Sequence, residues 1–382
     1  MKTKRIIRVA HFTDVVDGRT NSGTARVARE LITQLSQKSN IEQTLVHYEH
    51  GYDSIYSLQS ITEIKIPLMR FFFARHFFSF VLWSLHTRLK SDSKFDIAHW
   101  HSSRIYPFFF LFPAHLHIIT LHDMNQKLIP GAETLWTRIF RKSLQLSAKK
   151  ISLIFGVSLH AVTKIVELGR FSEKKVKHLY LGSNFDSLQP KMPNGFPSIT
   201  DFLLVVSRWQ DYKNVQSVLL AFENLSTIRP DTPHLVLVGK PLENFREPEN
   251  LIMASEFKHR IHVFNDLSDS ELAFLYDRAL INIFPSLYEG FGLSILEAMK
   301  RGKSSLCHNE TSTKEILGGA GMALDMSNVQ EIVTSINFVL DNRNTVNSWN
   351  AIASVRAGLF SWEIAADQLE EYYLGVMEEF LA

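Results

Sequence analysis

Cysteine is nearly absent from this chain of 382 residues, in which Cys307 is the single example. One cysteine excludes an internal disulfide and any cysteine-based metal site, and it fits a reducing cytoplasm. Runs of about 18 uninterrupted apolar residues are absent as well, so no helix is expected to span a bilayer. The basic start, residues 1–5, precedes an apolar segment that ends by His11 and is too short for a signal peptide. We therefore expect a soluble or peripheral protein.

Acidic residues are scarce in the first half of the chain. Residues 1–200 hold 27 Lys and Arg but only 14 Asp and Glu, whereas residues 201–382 hold 14 and 25. The total charge of +2 therefore hides a basic half and an acidic half. A basic first half suggests an anionic partner, such as a phosphate-bearing acceptor or a membrane leaflet. The alternative is that the two halves simply attract each other.

Histidine is the residue type that raises the question of a metal site. Five histidines lie between His99 and His122, and the pairs His99/His101 and His115/His117 each share a strand face. No carboxylate or cysteine completes a ligand set at helical spacing. We therefore predict no metal site.

The length and the 45% hydrophobic content indicate a globular chain with two domains. The segment 191–200 has the turn-rich composition of a linker. We predict a first domain over 1–190, a second over 201–360, and a final helix over 361–382. Alternating strands and helices with polar residues at strand ends predict two doubly wound parallel α/β domains.

In the first domain, Ile6–Phe12 is a predicted strand, followed by a loop of small residues and a helix from Thr24. Gly23 lies at the start of that helix, where N–H groups are able to bind a phosphate. An ordinary tight turn is the alternative for Gly23. Two later predicted strands end in His101 and in His122-Asp123, and their ends are expected to open on one crevice.

Residues 71–83 are rich in phenylalanine and are flanked by Arg70, Arg75, Arg88 and Lys90. A helix of this composition suits a membrane interface. Apolar residues surround nearly the whole helix, which favours burial against a sheet. Both interpretations hold if one face protrudes.

The most informative stretch is 284–302, which predicts a strand, a loop and a helix. Pro285 ends the strand, Gly290 and Gly292 allow backbone N–H groups to approach a ligand, and a helix begins near Leu293. Glu289 and Glu297 place a carboxylate at each end of this turn. The start of such a helix favours an anion, and two carboxylates beside a phosphate suggest sugar hydroxyls as partners.

This spacing of Glu289 and Glu297, with Gly290-Phe291-Gly292 after the first, resembles the retaining family 4 glycosyltransferases of the GT-B fold, also known as glycosyl transferases group 1. The resemblance covers nearly the whole chain and is strongest in 200–320. It implies two Rossmann-like domains that face a cleft, with the C-terminal helix crossing back to the first domain. It also implies transfer of a sugar from a nucleoside-diphosphate sugar with retained configuration.

The resemblance assigns roles to individual residues. Glu289 would contact the sugar, Glu297 the ribose, and His122 the donor sugar. The donor-binding residues it implies are Gly23, Gly239, Val263, Phe264, Gly290, Phe291, Gly292 and Leu293, with the backbone of Val263 and Phe264 beside the base. The family's glycine pair and proline are replaced by Thr311-Ser312-Thr313, before the glutamate matched by Glu315.

Arg208 and Lys213 follow the first strand of the second domain, Phe202–Val206. A guanidinium fork and an ammonium suit a diphosphate and offset the charge of a leaving group. In register with the Glu289 loop, the two cations resemble the Arg and Lys pair of the family. The predicted catalytic set is therefore His122, Arg208, Lys213 and Glu289.

The sequence lacks any Asp-x-Asp pair of the kind that holds a cation on a sugar diphosphate, so we expect no metal and no other cofactor. The predicted function is transfer to a glycan or lipid-linked acceptor, in bacterial cell-surface polysaccharide assembly, in the cytoplasm or at the inner face of the plasma membrane. The alternatives are a nucleotide-sugar epimerase, a sugar phosphorylase, or an inactive sugar-binding subunit. No nucleic-acid partner is expected, because the second half is acidic.

Overall fold

A computed structural model describes residues 5–13, 23–48, 61–69, 75–90, 95–102, 105, 108–124, 135–240 and 245–382. The chain forms two compact units. One consists of Met1–Leu181 with Trp362–Ala382, and the other of Gly182–Ser361.

The first unit contains a parallel seven-stranded sheet with the strand order β3-β2-β1-β4-β5-β6-β7. Its strands are β1 (Ile7–Phe12), β2 (Ile41–Tyr48), β3 (Thr62–Ile66), β4 (Phe95–Trp100), β5 (Ala114–Leu121), β6 (Leu153–Gly156) and β7 (Val176–His178). Because β2 and β3 lie on one side of β1 and β4 on the other, the strand order reverses between β1 and β4. Ligands of open α/β sheets bind at such a point, beyond the carboxyl ends of the strands.

The helices of the first unit are α1 (Gly23–Leu35), α2 (Arg75–Lys90), α3 (Leu135–Leu146), α4 (Leu159–Gly169) and the C-terminal α12 (Trp362–Leu381). The last of these packs within this unit although it follows the whole second unit in the chain. The Lys38 ammonium bonds to Asp367 of α12, and Tyr373 of α12 bonds to His99 of β4.

The second unit contains a parallel six-stranded sheet with the order β10-β9-β8-β11-β12-β13. Its strands are β8 (Phe202–Val206), β9 (His234–Val238), β10 (Ile261–Phe264), β11 (Ile281–Phe284), β12 (Ser305–His308) and β13 (Gly321–Leu324). Its helices are α5 (Val215–Ile228), α6 (Glu247–Ala254), α7 (Asp269–Arg278), α8 (Leu293–Lys300), α9 (Ser312–Leu317), α10 (Val329–Asp341) and α11 (Arg343–Ala357). Here the strand order reverses between β8 and β11.

The central strands are short apolar runs because helices cover both faces of each sheet. Leu203 and Leu204 of β8 point to opposite faces, and both are fully buried in separate hydrophobic clusters. Helix α7 begins at a capping box between Ser268 and Glu271, a Ser-x-x-Glu pattern that is local in the sequence. The two doubly wound α/β domains predicted from the sequence are confirmed.

The first domain was predicted to extend to residue 190, but the chain from Gly182 groups with the second unit. Arg301 explains this grouping, because its guanidinium donates to the carbonyl groups of Phe185 and Leu188. The segment 191–200 also packs in the second unit, where Phe196 contacts Phe202. The segment 191–200, which was expected to be a linker, is therefore packed within the second unit.

Helix α2 has one buried apolar face and one exposed apolar face. Phe80 is buried against Phe12 and Trp100, whereas four apolar side chains on another face are exposed: Phe78, Leu82, Leu85 and Leu89. Residues 70–74 of the predicted segment lie outside the described residues. Among the described residues, no helix combines the length and the apolar character needed to cross a membrane.

Candidate active site

Lys213 and Glu289 meet at the point where the strand order of the second sheet reverses. Lys213 lies on the loop after β8, and Glu289 lies on the loop after β11. The Lys213 ammonium is 2.5 Å from Glu289 Oε1. Their side chains are 18% and 14% exposed, so each remains accessible to a ligand. The structure thus pairs a cation and a carboxylate where ligands of such sheets bind.

Backbone hydrogen bonds hold these two loops together. The N–H group of Leu287 donates to the carbonyl of Tyr212, over 2.9 Å. Asn214, which begins α5 in a left-handed conformation, donates from its side-chain amide to the carbonyl groups of Pro285 and Met326. Three loops at this edge of the sheet are therefore fixed by one buried asparagine.

The glycine loop before α8 is also held in place by contacts with α9. Gly292 begins α8 with φ +100°, and a Cβ there would lie 2.9 Å from Thr313 Cγ2. The hydroxyl of Ser312 donates to the carbonyl of Glu289 over 2.9 Å. The Thr311-Ser312-Thr313 segment, which departs from the family pattern, therefore orients the loop that carries Glu289.

Arg208 and Gly239 lie on neighbouring loops at the same edge. Arg208 is exposed and follows β8, on the same loop as Lys213. Gly239 follows β9 with φ +135°, and a Cβ there would lie 1.9 Å from the carbonyl oxygen of Ser207. The glycine thus permits the close approach of these two loops. Its own N–H donates to the carbonyl of Phe264, so this group is already bonded within the protein.

The remaining predicted residues of the second unit occupy the start of α8 and the end of β10. Gly290 and Phe291 are buried, and Leu293 is the first residue of α8. Val263 is 40% exposed at the end of β10, whereas the ring of Phe264 packs on Phe196. The first turn of a helix leaves N–H groups without intrahelical partners, which favours an anion beside Leu293.

Glu297 is a buried carboxylate on α8. It is 7% exposed, and its Oε2 accepts a hydrogen bond of 3.3 Å from the hydroxyl of Tyr276 on α7. This contact ties the two helices together at the carboxylate that the resemblance assigns to the ribose.

His122 and Gly23 belong to the first unit, unlike the other predicted residues. His122 follows β5, and its Nε2–H donates to the carbonyl of His101 over 3.2 Å. Burial lowers the pKa of His122 to about 4, despite the opposing effect of this hydrogen bond. The neutral ring therefore carries its lone pair on Nδ1. Gly23 is exposed as the first residue of α1, and the preceding loop residues 14–22 lie outside the described part.

The sequence did not reveal that Tyr212, Asn214 and Ser312 hold the loops that carry Lys213 and Glu289. Tyr212 places its ring 5.1 Å from the Lys213 ammonium, in addition to its bond with Leu287. Asn214 lies between the loop that carries Lys213 and the helix α5. A polar residue between a strand and a helix is too common a signal to reveal contacts with two other loops.

A known protein family matches most of the second unit. Residues 191–356 match the family model described as Glycosyl transferases group 1. Over these residues the chain is similar to the group 1 glycosyltransferases. The match covers β8, Lys213, Glu289 and α8, and thus the whole cluster in the second unit.

Relatives of this glycosyltransferase align along almost the whole chain. O-antigen chain mannosyltransferase B of Escherichia coli is 27% identical over 381 residues, covering 92% of this chain and 96% of that protein. Sucrose-phosphate synthase of Thermosynechococcus elongatus has the same fold with a TM-score of 0.78 at 15% identity, covering 98% of this chain and 100% of that one. Anabaena HepE, solved with UDP-glucose, gives a TM-score of 0.73 at 16% identity, covering 97% and 100%. The GT-B fold predicted from the sequence is confirmed.

Proposed function

We propose that this glycosyltransferase uses a nucleoside-diphosphate sugar as donor and retains the configuration of the transferred sugar. The observation that carries the proposal is the Lys213–Glu289 pair at the reversal of the second sheet, beside the start of α8. A diphosphate accepts hydrogen bonds from the Lys213 ammonium and from helix-start N–H groups. Glu289 is then released to accept hydrogen bonds from sugar hydroxyls. HepE, solved with UDP-glucose on the same fold, supports a donor of this class.

Stabilisation of the leaving group supplies the chemistry. When the bond between the anomeric carbon and the phosphate oxygen breaks, negative charge grows on the nucleoside diphosphate. Lys213 and Arg208 offset that charge, as preorganised cations do in a site that excludes water. The acceptor hydroxyl attacks the anomeric carbon from the face that the leaving group departs from. A donor phosphate oxygen takes the proton of this hydroxyl. Glu289 holds the sugar and forms no covalent intermediate.

His122 contributes from the first unit in this proposal. Its ring is neutral at pH 7, and Nε2–H is engaged by the His101 carbonyl. Nδ1 is therefore suited to accept a hydrogen bond from a sugar hydroxyl, and it has no proton to donate. Gly23, Gly239, Val263, Phe264 and Glu297 keep the donor-binding roles that the resemblance implies, which we propose without change.

We further propose that transfer needs no metal ion on the diphosphate. Two cationic side chains supply the positive charge that a divalent ion supplies in other sugar transferases. The test is the initial rate in EDTA, followed by addition of Mg²⁺ or Mn²⁺. We expect the rate to persist in EDTA and to stay unchanged on addition of either ion. A rate that depends on Mg²⁺ or Mn²⁺ would contradict this part.

Calorimetry with UDP, GDP, ADP and dTDP tests the donor class, and product analysis tests the reaction. We expect one nucleoside diphosphate to bind and the anomeric configuration of the donor to be kept in the product. An inverted product would refute retention. Sugar phosphate as product would indicate a phosphorylase, and an altered nucleotide sugar without transfer would indicate an epimerase. Binding without turnover on any acceptor would indicate an inactive sugar-binding subunit.

The acceptor proposed here is a glycan or a lipid-linked chain in bacterial cell-surface polysaccharide assembly, and the transferred hexose is mannose. The support is the Escherichia coli relative, which is an O-antigen chain mannosyltransferase. The assay compares GDP-mannose with UDP-glucose on mannosylated lipid-linked acceptors. Equal or greater transfer of glucose would refute mannose as the donor sugar.

We also propose that the protein works in the cytoplasm and attaches to the inner face of the plasma membrane through α2. Phe78, Leu82, Leu85 and Leu89 recur at the spacing of one helix face, and they are 49%, 52%, 39% and 87% exposed. The exposed Arg88 lies beside this face and suits anionic headgroups.

Co-sedimentation with vesicles of anionic phospholipid tests the attachment. We expect Leu82→Ser combined with Leu89→Ser to abolish binding, and Arg75→Gln with Arg88→Gln to weaken it most at low salt. Val355→Ser is the matched control, because Val355 is 80% exposed on α11 of the other unit. Vesicle binding that survives the double serine change would refute α2 as the membrane surface.

A further inference from the structure

Three buried histidines converge at the point where the strand order of the first sheet reverses. His11 lies in β1, His99 in β4, and His101 directly after β4, and His11 is in register with His99. None of the three is more than 1% exposed. One ring nitrogen from each lies within 4.8 Å of the others. The cluster occupies the position at which a parallel sheet of this kind binds ligands.

The hydrogen bonds within this cluster are incomplete. His11 Nδ1 and His101 Nε2 are 3.0 Å apart, so a single proton lies between them. The outer nitrogens, His11 Nε2 and His101 Nδ1, have no hydrogen-bond partner of good geometry among the described residues. Since a neutral imidazole carries one N–H, the ring that accepts the shared proton must carry its own N–H on its outer nitrogen. Each tautomer therefore leaves one N–H and one lone pair on these outer nitrogens, and the side chain of Gln43 is close enough to His11 to serve as a partner there.

The sequence alone predicted no metal site, since no further ligand was found for His99 and His101, but the structure adds His11 to them. We propose that His11, His99 and His101 bind one divalent transition-metal ion of the zinc class. Two nitrogens that bind zinc at about 2.0–2.1 Å in a tetrahedral site lie roughly 3.3 Å apart. The 3.0 Å separation of His11 Nδ1 and His101 Nε2 is close to this distance. Three imidazoles and an open fourth position make up a common zinc environment, whereas Mg²⁺ and Ca²⁺ require oxygen ligands.

His99 would supply the third nitrogen ligand, and its second ring nitrogen would keep a hydrogen-bond partner. At present its Nδ1 is bonded to the Tyr373 hydroxyl at 2.5 Å, and its Nε2 to Thr120 Oγ1 at 2.8 Å. When one of these nitrogens binds the ion, it loses the hydrogen bond that it makes now. The remaining oxygen then accepts the N–H of the ring and fixes its orientation, as partners of metal-binding histidines usually do. Because Tyr373 belongs to α12, binding of the ion through Nε2 of His99, in place of Thr120, would keep this helix bonded to β4.

This inference is independent of the proposed sugar transfer. The three histidines belong to the first unit, whereas Lys213 and Glu289 belong to the second. His122 is the proposed sugar contact nearest to them, and it bonds to the backbone carbonyl of His101, which a change of the His101 side chain keeps. The ion takes no part in the donor chemistry proposed above. A failure of the metal site leaves the donor proposal standing, and the reverse also holds.

Equilibrium dialysis against Zn²⁺, with metal analysis of the retained protein, tests the site. The full chain is prepared without a histidine tag and freed of metal with EDTA. We expect one Zn²⁺ per chain, a rise in melting temperature with Zn²⁺, and no rise with Mg²⁺. Co²⁺ in place of Zn²⁺ is expected to give the visible absorption of a tetrahedral site. Substoichiometric Zn²⁺ with no shift in melting temperature would overturn the proposal, whatever the variants do.

Substitutions locate the ion. His11→Gln and His101→Gln are each expected to weaken Zn²⁺ binding by at least about 100-fold. The matched control is the pair His234 and His262, whose ring nitrogens are 2.8 Å apart but which belongs to no group of three converging ligands among the described residues. His234→Gln with His262→Gln is expected to leave Zn²⁺ affinity unchanged. Loss of binding in the control alone would place the ion there and refute the cluster.

Discussion

The Lys213 ammonium lies 2.5 Å from Glu289 Oε1, although 76 residues separate the two in the chain. The pair joins the loops after β8 and β11, on the two sides of the reversal in strand order. In this arrangement each charge neutralises the other. A diphosphate sugar would divide the pair, because phosphate oxygens bind the ammonium and sugar hydroxyls bind the carboxylate.

The first prediction removes either member of this pair. Glu289→Gln and Lys213→Met are each expected to lower kcat/KM by roughly 10²–10³-fold, the usual loss when one preorganised charge or donor is removed. Initial rates with the nucleotide sugar measure the effect, and circular dichroism checks the fold. Arg343→Gln is the control, because it breaks an exposed ion pair with Asp201 in the same unit. Two variants that both keep normal turnover would eliminate this site.

The second prediction concerns the hydroxyl that orients the Glu289 loop. Ser312→Ala removes the 2.9 Å hydrogen bond to the Glu289 carbonyl, so we expect kcat/KM to fall about 5-fold, as for one neutral hydrogen bond. In a Glu289→Gln background the same change is expected to have little further effect. Ser348→Ala, which removes a hydroxyl from an exposed helical turn, is the control. Equal losses in both backgrounds would show that Ser312 acts independently of Glu289.

The third prediction compares two glycines of the second unit. Gly239→Ala places a Cβ 1.9 Å from the Ser207 carbonyl oxygen at a φ of +135°, so we expect the free energy of unfolding to fall by at least about 2 kcal/mol. Gly319→Ala, where nothing lies within 4 Å of the new Cβ, is expected to be close to neutral. Urea unfolding of both variants measures the difference. Equal stability of the two would contradict the strain at Gly239.

The fourth prediction concerns the single cysteine. Burial raises the pKa of Cys307 to about 12 from about 9, so the thiol stays protonated and enclosed in the native protein. We expect a thiol reagent at pH 8 to label it only after unfolding in urea. Rapid labelling of the native protein would contradict the burial of β12.

The raised pKa of Cys307 also makes the free energy of unfolding depend on pH. Because the native pKa is raised, the stabilisation is complete below pH 9 and is lost as the pH rises towards 12. Unfolding free energies measured between pH 8 and 11 are expected to decline less steeply in Cys307→Ala than in the parent chain. An equal decline in both would show that other groups cause it.

Local patterns in the sequence predicted much of the second unit. The strand Phe202–Val206 and the helix start near Leu293 agree with the structure. The strand is a continuous apolar run and Gly292 precedes the helix, so these limits depend on nearby residues alone. The Ser268 capping box is local in the same sense.

Two edge strands, β3 and β13, were missed because their formation depends on a distant partner. Strand β13 begins at Gly321, where a Cβ would lie 2.1 Å from the Ser305 carbonyl oxygen, so the glycine permits the close approach of β12. Strand β3 pairs only with β2, and its residues are mostly polar or partly exposed. Neither segment has the apolar pattern of a central strand.

The sequence by itself determined the fold class and the family, because alternating apolar strands and helices, and the Glu289–Gly292 loop, are local patterns. Only the tertiary structure decided which side chains touch. It joined Lys213 to Glu289, placed Asn214 and Ser312 behind them, and brought His11 to His101. The reason is strand order: neighbours such as β8 and β11, or β1 and β4, are far apart in the chain. Their contacts follow from the order in which helices return the chain to the sheet.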